Sequence, residues 1–215
     1  SGTNISKLTK LAELFPDGVP ENIMDIAKED ARKKKEFNNL LKVGSKVEML
    51  FIQTLDQYKT TSNKDKIIHA GGGAYDIRIF NPDTNKSFYI ELKSCKYQNT
   101  EPINIAVSQA KRAVKELINQ NFAIVIIERS ADNEMNEEYI KNNTKYFKGP
   151  GEYLKSIGDS YDTIDDVSNT NKLIDLKMDF AEFKGLVNYS WLKEKIGNSG
   201  FEELLSDIKQ TLSIK

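Results

Sequence analysis

Three residues in two neighbouring segments, Asp76, Glu91 and Lys93, have side chains suited to phosphate chemistry. Side chains on a β-strand alternate between its two faces, so FYIELK places Glu91 and Lys93 on one face and its apolar residues on the other. In YDIRIF the same rule places Asp76 on the face opposite Ile77 and Ile79. Asp76 and Glu91 can therefore share one face of adjacent antiparallel strands, and we expect that face to look toward an opening or solvent.

Two carboxylates and a lysine on one face are the side chains that a metal-assisted reaction at phosphate requires. Two neighbouring carboxylates repel each other unless a proton or a cation lies between them. Mg²⁺ binds one or two carboxylates together with substrate phosphate and water. Lys93, two residues from Glu91, can hold an attacking water or counter the charge that builds on phosphate. The residue types therefore indicate phosphodiester hydrolysis assisted by Mg²⁺, with Mn²⁺ able to substitute.

The elements around these residues predict an α/β fold. Apolar spacing and turn residues predict a helix over residues 45–58, strands over 66–69, 75–80 and 87–93, and a second helix with a buried stripe from Val107 to Ile118. The continuous apolar run FAIVIIE, residues 122–128, is typical of a strand covered on both faces. This order predicts a mixed central β-sheet flanked by helices.

The two ends of the chain are less regular. Apolar spacing predicts a short helix over residues 4–15, whereas the polar stretch after Ser130 gives no clear assignment. Ser199 and Glu202 predict a capping box for a closing amphipathic helix. We therefore divide the chain into an N-terminal helical extension (1–42), a core (43–130) and a C-terminal polar and helical extension (131–215).

Composition narrows the function classes. The 215 residues are 39% hydrophobic and 29% charged, which is typical of a globular protein, and no run approaches the roughly 20 apolar residues that cross a bilayer. A single cysteine, Cys95, excludes an internal disulfide and a cysteine-built zinc site and favours a cytoplasmic location. The net charge of -1 means that any nucleic-acid binding must come from a local basic patch.

The pattern around Asp76 resembles the PD-(D/E)XK nuclease superfamily, which has the restriction-endonuclease-like fold. Its motif is an aspartate at the start of one strand and Glu-x-Lys on the next, matched here by Asp76 and by Glu91, Leu92 and Lys93; Tyr75 replaces the proline that often precedes the aspartate. The resemblance implies a Mg²⁺-dependent DNA nuclease in which Asp76 and Glu91 bind metal and Lys93 positions water.

Two further residues match the superfamily pattern. Many members carry a glutamate on the helix before the hairpin in a Gly-x-x-x-Glu setting, and GSKVE supplies Glu48, which the resemblance makes a third metal ligand or an orienting residue. The same position also suits a solvent-facing helix residue. Some members add a glutamine on the following helix, which Gln109 matches, although Ala113 stands where a tyrosine often follows.

Within the superfamily, GGGAYDI followed by YIELKS is most similar to the NO VEIN C-terminal domain. That domain occurs at the C-termini of large ATPase-like and defence proteins. The similarity implies a DNA-cutting domain within a larger defence, restriction or repair protein. Its expected partners are DNA and either other domains of that protein or a second copy, and no membrane is expected.

Candidate substrate contacts are Lys111 and Arg112 on the second predicted helix, and Gly72 and Gly73, which could bring backbone close to a phosphate or form a simple turn. The alternative function is a non-catalytic nucleic-acid or protein binding module of the same fold. Glu182-Phe183-Lys184 repeats the short motif without a glycine-flanked strand before it. The local pattern therefore favours the hairpin that contains Asp76.

Overall fold

The computed structural model describes residues 21–56, 66–69, 73–96, 102–130, 134–170, 184–196 and 199–213. The chain divides into two compact units, Ser1–Ser45 and Lys46–Lys215. Asp76, Glu91 and Lys93 lie in the second unit. Its central sheet is the framework that positions them.

The described residues form six helices and seven strands. In chain order these are α1 (Glu21–Asp56), β1 (Lys66–His69), β2 (Ile77–Asn81), β3 (Lys86–Lys96), β4 (Ile103–Ala106), α2 (Val107–Lys115), β5 (Phe122–Arg129), α3 (Glu137–Asn143), β6 (Thr144–Lys148), α4 (Gly151–Thr170), β7 (Lys184–Val187), α5 (Tyr189–Ile196) and α6 (Phe201–Leu212).

Five of the strands form one mixed sheet in the order β1-β2-β3-β5-β6, and β4 pairs with β7 in a separate two-stranded sheet. β3 and β5 are parallel, whereas the other pairs of the large sheet are antiparallel. Every residue of β5 except the last is buried, as a strand covered on both faces requires. The predicted mixed α/β fold and the interior position of this strand are confirmed.

The strand registers determine which side chains share a face. Glu91 of β3 lies opposite Ile124 of β5, and Lys93 lies opposite Ile126. Ile126 in turn lies opposite Lys145 of β6. Directly opposed residues point to the same side of a sheet. We call the side that carries these five residues the site face.

Helices α2, α4 and α5 cover the site face. The buried cluster on this side draws residues from the sheet, β4 and these helices: Tyr89, Ile103, Ile105, Ala110, Ala113, Phe122, Ile124, Ile126, Phe147, Leu154, Tyr189 and Leu192. At the start of α4, a Cβ on Gly151 would lie 2.5 Å from the carbonyl oxygen of Ala113. Glycine is therefore needed for α4 to approach α2 this closely.

Helix α6 covers the opposite face. Phe201 of α6 packs edge-on against Phe51 of α1, with ring centroids 6.2 Å apart. Asp207 of α6 accepts hydrogen bonds from the Tyr146 hydroxyl at 2.6 Å and from Lys148 Nζ at 2.7 Å. Burying a phenylalanine ring such as that of Phe51 stabilises the fold by about 1.5–3 kcal/mol. Both faces of the sheet are thus covered.

Helix α1 begins earlier than predicted. Only residues beyond 45 carry an apolar stripe, yet the charged segment from Glu21 is also helical. Glu29 pairs with Arg32 at 2.8 Å and with Lys33 at 3.7 Å, and such i+3 and i+4 pairs support an exposed helix. The helix predicted over residues 4–15, and the last two residues of the one predicted over 45–58, lie outside the described residues.

Other boundaries also differ from the prediction. β4 was not predicted, because its four residues are too short to show a pattern. α2 ends at Lys115, and Ile118, expected in the buried stripe, is 94% exposed. At the start of α6, Gly200 N donates to Glu203 Oε2 at 2.9 Å. The predicted capping pair of Ser199 and Glu202 is therefore wrong by one residue.

Candidate active site

The β2–β3 hairpin sets the register of the site. Its turn contains Pro82, which cannot continue a strand, and Asn85, which adopts a left-handed conformation with φ of 55°. Asn81 Oδ1 accepts a hydrogen bond from the backbone N–H of Asp83 at 2.9 Å, and Asn81 Nδ2 donates to the Leu212 carbonyl of α6 at 2.9 Å. Asn81 therefore fixes the start of the turn to α6, which supports the register of β2 against β3.

Asp76 lies directly before β2 and is held against β3. Its backbone N–H donates to the Ile90 carbonyl at 3.0 Å, and its Oδ2 accepts from the Leu92 backbone N–H at 2.8 Å. The β2–β3 pairing ends at Ile77 and Ile90, and these two bonds hold Asp76 against β3 just beyond it. They orient the Asp76 carboxylate toward Glu91, the residue between Ile90 and Leu92.

Glu91 is fully buried at 0% exposure. Its Oε1 accepts a hydrogen bond from Gln109 Nε2 at 2.6 Å and pairs with Lys93 Nζ at 2.5 Å. Its Oε2 is buried too and accepts no hydrogen bond within the part of the chain that the structure describes. One oxygen of this carboxylate is thus satisfied twice, and the other is left to face Asp76.

The surroundings of Glu91 change its ionisation. Burial raises the pKa of this carboxyl, Lys93 lowers it, and the neighbouring Asp76 raises it again, so that the pKa rises from 4.5 to about 8. Without a cation, Glu91 is mostly protonated at neutral pH. The two carboxyl groups therefore require a proton or a cation between them.

The expectation that this face opens to solvent is wrong at Glu91. The apolar alternation correctly placed Ile90 inside, but it did not show that α2 covers the other side of β3. Gln109 of α2 reaches Glu91, and Tyr89 belongs to the buried cluster. Lys93, whose side chain is 26% exposed, is the motif residue that reaches from the buried carboxylate toward solvent.

Gln109 connects the start of α2 to the site. Its Oε1 accepts the backbone N–H of Ala106, the residue before the helix, at 2.7 Å, while its Nε2 donates to Glu91. Gln109 thus caps α2 and orients Glu91 at the same time. Ala113, where a tyrosine often occurs, is buried in the cluster and makes the close approach to Gly151.

Glu48 is half-buried on α1 and interacts with other groups of the chain. The described residues contain no group of three or more His, Cys, Asp or Glu side chains arranged to hold a metal ion. Glu48 therefore does not form a three-carboxylate cluster with Asp76 and Glu91. The structure brings together Asp76, Glu91, Lys93 and Gln109.

The predicted substrate contacts have different surroundings. Lys111 is exposed on α2, whereas Arg112 pairs with Glu116 at 2.9 Å and lies 4.0 Å from the Tyr89 ring centroid and 5.8 Å from that of Tyr75. The Arg112 guanidinium is thus engaged inside the fold.

Of the two glycines predicted to contact substrate, only Gly73 lies within the described residues. A Cβ added to Gly73 would meet nothing within 4 Å, so space does not require glycine there. Gly72 lies outside the described residues.

Sequence reasoning missed a second polar group on the site face. Glu128, buried at the end of β5, pairs with Lys193 and accepts the Tyr189 hydroxyl at 2.5 Å. A carboxylate that ends a fully apolar strand was the available signal, because a buried charge needs a partner. The partners come from α5, in the region whose structure the sequence did not predict.

A cleft of about 570 Å³ opens elsewhere, at the other end of β3, and Lys86, Ser87 and Asn121 are among its lining residues. None of the catalytic candidates lines it. The position of this cleft and the position of the catalytic candidates therefore differ. We place the site at Asp76 and Glu91, because two carboxyl groups, a lysine and a buried oxygen without a hydrogen-bond donor from the described residues lie together there.

The donor set suits an oxygen-preferring divalent cation. Asp76 and Glu91 offer two carboxylates from adjacent strands, and Glu91 Oε2 is a buried acceptor without a donor in the described part of the chain. Mg²⁺ binds to one or two carboxylates and completes its octahedron with water and substrate oxygens. The residues present fit such an ion.

Fold and site together define an α/β domain with a mixed sheet and a buried carboxylate–lysine site. Residues 47–140 match the family model described as Protein NO VEIN, C-terminal. The match covers less than half of the 215 residues but includes Glu48, Asp76, Glu91, Lys93 and Gln109. It agrees with the similarity carried by GGGAYDI and YIELKS. No match to a curated protein was found.

No helix in the described residues is both long enough and apolar enough to span a membrane.

Proposed function

We propose that this domain is a Mg²⁺-dependent nuclease of the restriction-endonuclease-like fold that hydrolyses phosphodiester bonds of DNA. One observation carries the proposal. Glu91 is fully buried beside Asp76, with Lys93 on one carboxylate oxygen and no donor from the described residues on the other. Such an arrangement destabilises the ionised protein unless a cation is bound, and a merely structural ion pair would not need the second carboxylate.

The residues divide the work of hydrolysis. The reaction forms a bond between phosphorus and a water oxygen, breaks the bond to the leaving oxygen, and delivers a proton to that oxygen. Asp76 and Glu91 would hold the ion, and a bound Mg²⁺ supplies charge stabilisation and a more acidic water. Lys93 would position the attacking water or stabilise the charge on phosphate. Gln109 would keep Glu91 in place.

The cellular setting follows from similarity. The matched family is described as the C-terminal part of Protein NO VEIN, which supports a role as one domain of a larger protein. We infer a cytoplasmic protein of defence, restriction or repair whose partner is DNA. A chain with one site cuts one strand, so cutting both strands would require a second copy.

A cleavage assay tests the proposal. The full chain should cut single- or double-stranded DNA with Mg²⁺ or Mn²⁺ and not with chelator, and Asp76→Asn should abolish cleavage. Glu152→Gln, an exposed carboxylate on α4, is the matched control and should cut normally. RNA of the same sequence forms a further arm. If the protein cleaves RNA and not DNA, the substrate is RNA.

The competing function is a non-catalytic binding module. The burial of Glu91 and its pairing with Lys93 are compatible with a structural role. A wild-type protein that binds DNA but neither cuts it nor takes up Mn²⁺ in calorimetry would establish the module and end the nuclease proposal.

A further inference from the structure

A second group of polar side chains lies at the end of the site face. Glu128 of β5 accepts the Tyr189 hydroxyl at 2.5 Å, and Lys193 Nζ pairs with the same carboxylate oxygen. The Lys193 ammonium also lies 4.7 Å from the centroid of the Tyr189 ring. These contacts hold the ammonium in one place, although the Lys193 side chain remains 38% exposed.

The strand registers place this group beside the candidate active site. Lys93, Ile126 and Lys145 form one row across β3, β5 and β6. The next row contains Cys95 and Glu128. Rows on one face are about 6.6–7 Å apart along a strand, and two strand spacings separate Lys93 from Lys145 by about 9.6 Å.

This end of the site face carries an excess of positive charge. Lys193 pairs with Glu128, and Lys145 also interacts with it electrostatically. Cys95 contributes no charge, because burial raises the pKa of its thiol. Two ammonium groups thus surround one carboxylate at the carboxyl ends of the parallel strands β3 and β5, where α/β proteins commonly bind ligands.

We propose that Lys145 and Lys193 bind the phosphate backbone of the substrate next to the phosphate held at Lys93. The inference rests on the proposed nuclease function and adds a substrate contact to it. Lys193 keeps N–H donors beyond the one used by Glu128, since an ammonium has three. The Glu128 and Tyr189 contacts fix its position before substrate arrives, which lowers the entropy lost on binding.

Salt-dependent binding of a duplex oligonucleotide to the full chain, in chelator, tests the proposal. Each lost phosphate contact should lower the slope of log affinity against log salt by about 0.9. The double variant Lys145→Ala/Lys193→Ala should therefore lose about 1.8 of slope relative to wild type. Lys86→Ala removes the same charge from the exposed start of β3, seven residues or about 23 Å from Lys93, and should keep the slope.

Two further variants distinguish the loss of a phosphate contact from a loss of folded protein. Lys193→Arg keeps the charge and should keep the wild-type slope. Lys145→Ala leaves the Glu128–Lys193 pair in place and should by itself lower the slope by about 0.9. An unchanged slope in Lys145→Ala and in the double variant would overturn the proposal, as would a wild type without salt-dependent binding.

Because binding is measured without a divalent cation, its outcome is distinct from that of the cleavage assay. An altered slope in a protein that never cuts DNA would support the contact surface and refute the nuclease. An unchanged slope in a protein that does cut would refute the surface alone.

Discussion

Glu91 and Glu128 lie on the same face of two adjacent parallel strands, are both buried, and are each paired with one lysine. Their ionisation is nevertheless opposite. Burial raises the pKa of Glu91, and despite the opposing effect of Lys93 it reaches about 8. Burial also raises the pKa of Glu128, but the hydrogen bonds from Lys193 and Tyr189 outweigh it, and the net pKa is lowered.

Burial and a neighbouring acid decide the difference in pKa, and burial is the larger cause for Glu91. Glu128 has a hydroxyl donor from Tyr189, whereas Glu91 has the like-charged carboxyl group of Asp76 beside it. Each carboxylate has a lysine and one further donor, Gln109 for Glu91 and Tyr189 for Glu128, so the donors do not distinguish them. The complete burial of Glu91 and its acidic neighbour do. Glu128 has the contacts of a structural ion pair, whereas the surroundings of Glu91 are those that the proposed metal site requires.

The largest expected effect is on cleavage. Glu91→Gln removes a metal-binding charge and should lower the cleavage rate by a factor of about 10³ or more, together with loss of Mn²⁺ binding. The matched change Glu128→Gln should lower the melting temperature while leaving Mn²⁺ affinity unchanged. Single-turnover cleavage, calorimetry and thermal melting of both variants measure these effects. Equal loss of Mn²⁺ affinity in the two variants would show that the carboxylates do not differ in function.

The next effect distinguishes the role of Lys93 from that of Glu91. Lys93→Ala leaves Asp76 and Glu91 in place, so Mn²⁺ should still bind, but cleavage should slow by about 10²–10³, which is about 2.7–4 kcal/mol of transition-state stabilisation. Lys86→Ala on the same strand is the control and should cut at the wild-type rate. A Lys93→Ala protein of full activity would reduce Lys93 to a structural partner of Glu91.

Much of this site could be predicted from sequence because it depends on short-range rules. Strand alternation and a hairpin turn were enough to place Asp76 beside Glu91, and the order of elements was enough for the mixed sheet. Gln109 was named because the resemblance places a glutamine on the following helix, and it contacts Glu91 in the structure.

The Glu128 site depends on long-range packing that no local pattern shows. Tyr189 and Lys193 are more than 60 positions from Glu128 and come from a helix within a polar, unassigned region. The burial of Glu91 was missed for a similar reason, since it depends on how α2 crosses the sheet. Arg112 was named as a DNA contact because it follows Gln109 on the second predicted helix, but packing directs it onto Tyr89 and Glu116.

A smaller effect tests whether the hydrogen bond from the Tyr189 hydroxyl stabilises the Glu128 carboxylate. Tyr189→Phe removes one hydrogen bond to a charged group and should lower the free energy of unfolding by about 1.5–3 kcal/mol. Tyr153→Phe, at a side chain that is 47% exposed, should change it by less than about 0.5 kcal/mol. Urea denaturation at neutral pH measures both. If Tyr189→Phe matches the control, the tyrosine hydroxyl does not stabilise the Glu128 carboxylate, and the lowered pKa of Glu128 must come from Lys193.

A last test is the pH dependence of stability in chelator. Native Glu91 keeps its proton up to about pH 8 while the unfolded chain loses it near 4.5, so the native state binds more protons between these values. The free energy of unfolding should therefore fall as pH rises through this window, by at most about 1.4 kcal/mol per pH unit. Glu128 has the opposite sign: its pKa is lowered, so its contribution to stability is present above pH 4.5 and is lost as pH falls below that value.

Urea denaturation from pH 5 to 8 measures this dependence. The free energy of unfolding should fall with pH for wild type and change less for Glu91→Gln. Added Mg²⁺ should restore the stability that wild type loses at high pH. Parallel profiles for the two proteins would mean that Glu91 ionises normally, and the contrast with Glu128 would be lost.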